Sequence, residues 1–166
     1  MEIKKGLPLI RAGLFIGFML AASACSSQIP TDAVLEETDG VSYEITVYES
    51  PTWGCCSQWV VHLQENGYDV ETVDLSNNAL TEIKEDFGIT PEIASCHTAE
   101  IEGYIIEGHV PADVIEKLLM EKPEFVGLAL PGMPSGSPGM GGELETPLEI
   151  LAFDQQGQVW VYTTWQ

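Results

Sequence analysis

The segment Pro51-Thr52-Trp53-Gly54-Cys55-Cys56 joins an alternating run directly to a helically spaced one, and that junction commits the chain to an α/β unit. Before it, Tyr43 to Tyr48 alternates apolar and polar residues and carries β-branched side chains, the pattern of a strand. Pro51 and Gly54 break the strand. From Cys55 onward Cys56, Trp59, Val60 and Leu63 fall three and four apart, as on one face of a helix, and Gly67 stands where a helix cap belongs. The two thiols therefore sit at a helix start, where soft side chains can converge on a metal ion.

The remaining chain continues in the same grammar. Tyr68 to Leu75 predicts a second strand, and Leu80 to Phe87 a short helix stopped by Gly88. After a loop at Pro91, Thr98 to Ile101 and Tyr104 to Val110 predict a hairpin about Glu102-Gly103. Pro111 opens a helix through Met120, with Val114, Ile115, Leu118 and Leu119 as its buried face and Met120 assigned to the core. His62 is expected on the surface of the first helix. Leu130 to Gly142 is too rich in Gly and Pro for a helix or a central strand. Leu148 to Phe153 and Val159 to Trp165 predict a last hairpin, given bulk by Trp160, Tyr162 and Trp165, that extends the sheet or covers its face.

The amino-terminal segment reads as an address rather than as fold. Lys4, Lys5 and Arg11 precede an apolar stretch, Ala12 to Ala21, too short for a comfortable permanent anchor, so residues 1–24 are expected to be a signal peptide. Ala22-Ser23-Ala24-Cys25 fits both an ordinary cleavage site and a bacterial lipobox, with Ala22 standing where the lipobox usually has Leu. Lipidation of Cys25 is the expectation, a soluble exported protein the alternative. Residues 25–41 then form a tether and 42–166 one domain. The whole chain has a formal charge of -20, and past the signal only Lys84, Lys117 and Lys122 remain as cations. Such a surface repels nucleic acid and anionic lipid heads and draws cations, so contact with a membrane is expected only through the lipid.

Four ordered motifs carry a resemblance to a known family. They are Pro51-Thr52-x-Gly54-Cys55-Cys56-x-x-Trp59, Ala94-Ser95-Cys96-His97-Thr98-Ala99, Gly103-Tyr104-x-Ile106-Glu107-Gly108-His109-Val110-Pro111, and Pro131-Gly132-Met133-Pro134-x-Gly136-Ser137-Pro138-Gly139-Met140. The chain resembles the small exported bacterial proteins of the CopG-like family, long catalogued as a domain of unknown function. The resemblance implies an α/β fold of thioredoxin-like order (strand, helix, strand, helix, strand, strand, helix), here with an extra C-terminal β-hairpin. It implies thiolates from Cys55, Cys56 and Cys96, and three loops aimed at one end of the sheet, bringing His97 and His109 toward them. The implied place is the periplasmic side of the cell envelope, and Ser26 after the lipobox Cys, by resemblance to lipoprotein signals, favours the outer membrane where there is one. A copper transporter or oxidase of the envelope is the implied partner.

The residue types select the ion. Thiolate and imidazole, with thioether from Met133 or Met140 as further candidates, suit copper(I) first and zinc second. A helix N-terminus at Cys55 is expected to favour the thiolate there. The family's turn is Cys-x-Cys-Cys, and Trp53 replaces its first Cys, the place of the attacking thiol in a thioredoxin. Trp53 either caps the site or packs. The expectation is thus a copper(I) store, scavenger or carrier rather than an enzyme. The alternative is an envelope thiol-disulfide or copper-reducing oxidoreductase using Cys56 and Cys96. Two plainer readings stay open: a structural disulfide from Cys96 to Cys55 or Cys56, and a local hydrogen-bonding role for His109. Both His97 and His109 are placed in loops, where burial is not expected.

Overall fold

The computed structural model describes residues 42–52 and 54–166; the expected signal peptide, Cys25, the expected tether and Trp53 lie outside the described residues. Strand β1 (Glu44–Glu49) runs into helix α1 (Gly54–Glu65), followed by β2 (Asp69–Asp74), α2 (Asn77–Asp86), β3 (Thr98–Ile101), β4 (Tyr104–Glu107), α3 (Ala112–Glu121), β5 (Gly127–Ala129), β6 (Leu148–Phe153) and β7 (Val159–Trp165). The strands form one seven-stranded mixed sheet in the order β2-β1-β3-β4-β5-β6-β7. The terminal hairpin thus extends the sheet, joined to it by β5. That three-residue strand has no period to read in sequence, and it pairs parallel with β4 and antiparallel with β6.

The local signals act as their chemistry requires. Gly67, at a φ of 88°, closes α1 with paired bonds from its own N–H to Gln64 and from Tyr68 N–H to Leu63. This left-handed cap is one that a Cβ disfavours. Helix α2 begins earlier than its apolar residues suggest because Ser76 caps it, accepting from Ala79 N–H. Strand β4 ends earlier than expected, at Glu107, and the chain turns through Gly108 and His109.

Pleating sorts the side chains into two cores. Ile106, Leu128 and Ala152 are neighbours across β4, β5 and β6 and join Ile45, Val47, Ala99 and Ile101 under α1 and α3. Their chain neighbours Ile105, Ala129 and Phe153 point the other way, onto Ile89 and Ile93 after α2. Helix α3 buries Val114, Ile115, Leu118 and Leu119 as expected, each worth about 1.5–3 kcal/mol of burial. Met120 is 69% exposed, contrary to its core assignment, because it follows Leu119 off the apolar face. Strand β7 is an edge, so Trp160 stays 41% exposed instead of filling a core.

This topology gives the sheet one crowded pole. Because β3 runs antiparallel to β1 and β4, its start lies beside their ends, and β5 ends there too. The turn after β1, the loop before β3, the turn after β4 and the Gly/Pro segment after β5 all emerge together.

Candidate metal centre

Each of those connections brings soft donors. Cys55 and Cys56 come from the first turn of α1, Cys96 and His97 from the loop entering β3, and His109 from the turn between β4 and α3. The ligand atoms of Cys55, Cys56 and Cys96 lie within 4.8 Å of one another, and so do those of Cys96, His97 and His109. Cys96 belongs to both sets. Its Sγ is 3.2 Å from His97 Nδ1 and 3.0 Å from His109 Nε2. All three described cysteines are free thiols.

Burial departs from expectation. His97 and His109 are both fully buried, although each lies outside regular structure, because the Gly/Pro segment and α1 close over them. His97 stacks on Trp59 with ring centroids 4.4 Å apart, and His109 meets it edge-on at 5.0 Å. Trp59 is itself pinned, donating from Nε1 to the Val110 carbonyl at 2.8 Å. Pro138 O lies 2.7 Å from His109 Nδ1. Gly139 presses on the first turn of α1, where a Cβ would come within 2.6 Å of Trp59 N and 2.9 Å of the Cys55 carbonyl. The segment is therefore an ordered strap across the site.

The electrostatics place the thiolate on Cys96. A hydrogen bond from Cys56 draws its pKa far below the ordinary thiol range, and contacts with His109 and His97 add to this against the cost of burial. Cys56 moves the opposite way, first because it donates that hydrogen bond and then because it is buried. Cys55 is raised as well, by burial and by the charge on Cys96. This runs against the expectation that the helix N-terminus favours a thiolate at Cys55: burial first, and then the charge on Cys96, disfavour the anion there. Burial lowers His97 and keeps its imidazole neutral, the form that binds metals. Burial also pulls His109 down, but the Cys96 thiolate more than compensates and its pKa is raised.

The donor set fits a soft ion. His97 Nε2 is buried with no hydrogen-bond partner, so the ring is held by packing and its Nδ1 is aimed at Cys96. A buried polar atom left unmatched costs about 1–3 kcal/mol, a cost consistent with a side chain kept for its other edge. The thioethers divide. Met133 shares a cavity of ≈ 340 Å³ with Cys96, whereas Met140 lines a separate cleft beside Gln58 and His62 on the outer side of α1.

Two buried acids near this pole escaped the sequence reading. Glu107 is fully buried, accepting from Lys84 Nζ and from Ser95 N at 2.5 Å and from Thr98 Oγ1 at 2.5 Å, and it pins the loop that carries Cys96. Glu49 is 6% exposed with Oε2 unpartnered, and its pKa is raised by burial first, then by Asp74 and Cys96. The signal was present in the alternation of β1, which puts Glu49 on the same face as Ile45 and Val47. His62, assigned to the surface, accepts from Ala112 N–H at 3.1 Å and so caps α3.

Comparison with known proteins follows the same lines. Residues 93–140, which include Cys96, His97, His109 and the strap, match the family described as "Protein of unknown function, DUF411". Two solved structures, of copper resistance protein CopG in its forms 2 and 1, each superpose with a TM-score of 0.68 at 36% identity. The match covers 75% of this chain in both cases and 99% and 98% of the respective CopG chains. A comparison with the curated proteins finds no match.

Proposed function

The chain belongs to the CopG-like family of copper resistance proteins, and on that premise we propose that it binds copper(I) for storage, scavenging or transfer in the cell envelope. The observation that carries this reading is Cys96, whose thiolate is common to a three-sulfur set and a sulfur-and-two-imidazole set. Cys55, Cys56 and Cys96 would supply the thiolates, with His97 and His109 on the other side. Thiolate and imidazole donors, with both histidines and Cys56 buried, suit copper(I), with zinc the second choice. The order β1-α1-β2-α2-β3-β4-α3 supports reading the fold as thioredoxin-like with an added β5 and C-terminal hairpin. Export and a lipid on Cys25 complete the proposal, placing the site on the periplasmic side, where an envelope copper transporter or oxidase would be the exchange partner.

A specific contact favours a second reading. Cys56 Sγ lies within 4.8 Å of the Sγ of Cys96, whose pKa is depressed, the relationship of a thiol pair able to close a disulfide. Oxidation of a Cys56 thiol and a Cys96 thiolate would release one proton and two electrons, enough to reduce two Cu(II) ions or, with one further proton from solvent, a substrate disulfide. Anaerobic Cu(I) titration against a chromophoric chelator, run beside an insulin-reduction assay, separates the two. Tight stoichiometric uptake without reductase activity supports the binding protein; reductase activity without uptake supports the enzyme.

A further inference from the structure

We propose that Met133 is the loading ligand of the site, the first donor to take incoming Cu(I) before passing it to Cys96; this rests on the copper(I)-binding reading above. The cavity they share is also lined by Leu80, Ala94, Ser95 and Gly132, by the polar Asn77 and Thr81, and by Lys84, whose charge is met by buried Glu107. His97, His109 and Cys56 are buried, and the strap lies against the Cys55 carbonyl through Gly139. Cys96, half-buried, is the cluster residue that faces this cavity. An ion approaching from the cavity therefore meets Cys96 before any imidazole.

Met133 stands in that path by construction. It is 41% exposed, and the residue before it is stapled to the Cys96 loop, Gly132 N–H donating to the Ala94 carbonyl at 3.1 Å and Ser95 Oγ donating to the Gly132 carbonyl. The same loop is fixed from below by Glu107, whose charge is met by Lys84, so the cavity floor and the backbone that carries Met133 are held together. A thioether is soft enough to take Cu(I), has no proton to lose and carries no charge, so it binds fast and releases readily. Transfer is a ligand exchange: the copper–Met133 sulfur bond breaks as the copper–Cys96 sulfur bond forms, with no change in oxidation state.

The test is stopped-flow loading of the full chain with Cu(I) supplied as its bicinchoninate complex, beside equilibrium competition with the same chelator. Met133→Leu keeps the bulk of an exposed side chain and is expected to slow loading by roughly tenfold, leaving the equilibrium affinity unchanged. Met140→Leu is expected to change neither. With methyl-labelled methionine, a sub-stoichiometric Cu(I) pulse should shift the Met133 methyl resonance and leave that of Met140 in place. Loading of Met133→Leu at the wild-type rate overturns the proposal, and an equal loss of rate and affinity overturns it too, since Met133 would then be a resident ligand. A wild-type protein that takes up no Cu(I) overturns the binding function and the loading role together, a result distinct from uptake that ignores Met133.

Discussion

His109 Nδ1 lies 2.7 Å from the carbonyl oxygen of Pro138, so the strap after β5 reaches back and sets the state of a ring that precedes α3. A carbonyl oxygen can only accept, hence Nδ1 carries a proton; Nε2, 3.0 Å from Cys96 Sγ, donates a second proton to the thiolate and presents its lone pair there only once that proton has left for an incoming metal. Fixing one imidazole nitrogen through the other is the usual way a protein orients a metal-binding histidine. The strap therefore covers the cluster and selects the tautomer at once.

Gly139 tests the strap directly. It sits at a φ of 82° with no room for a Cβ over Trp59 N, whereas Gly141, at 66°, faces open space. Gly139→Ala is expected to destabilise the fold by about 3 kcal/mol and Gly141→Ala by about 1 kcal/mol, the backbone share alone. Urea denaturation of both variants measures the difference.

The pair Lys84 and Glu107 offers a second test. With a fully buried carboxylate 2.5 Å from the ammonium, Lys84→Met leaves Glu107 without its cation and is expected to cost about 3 kcal/mol. Adding Glu107→Gln to that variant removes the stranded charge and is expected to recover part of the loss in the same denaturation assay.

Acid should weaken the junction of α1 and α3. Burial lowers the His62 pKa, so in mild acid the unfolded chain binds a proton that the folded chain resists, while Asp113 and Glu65 work against the shift. The contribution is present above the unfolded pKa of about 6.5 and is lost as pH falls through the lower folded value. Protonation also removes the acceptor that Ala112 N–H uses. Urea midpoints from pH 7.5 down to pH 5, compared with His62→Gln, should show a steeper fall for the wild type.

Much of this was legible in the residues. The alternation of β1, the spacing of Cys56, Trp59, Val60 and Leu63, the Glu102-Gly103 turn and the last hairpin are local patterns, and local patterns survive into structure. Strand β5 was not legible, because three residues carry no period and its pairing with β4 and β6 is wholly non-local. The burial of His97 and His109 escaped for a related reason: a strap distant in sequence closes over them. Glu49 and Glu107 were lost among the many acids of the chain, though strand alternation marks Glu49 as inward-facing. The meeting of Cys96 with Cys55 and Cys56 was implied by family resemblance alone, since no spacing connects them.

That meeting is tested most directly by the Cu(I) affinity of Cys96→Ser, measured anaerobically by chelator competition beside wild type and Cys55→Ser. Because Cys96 serves both ligand sets, its loss is expected to weaken binding by roughly a hundredfold or more, about 3 kcal/mol, and that of half-buried Cys55 by less. Wild-type affinity retained by Cys96→Ser would contradict the account.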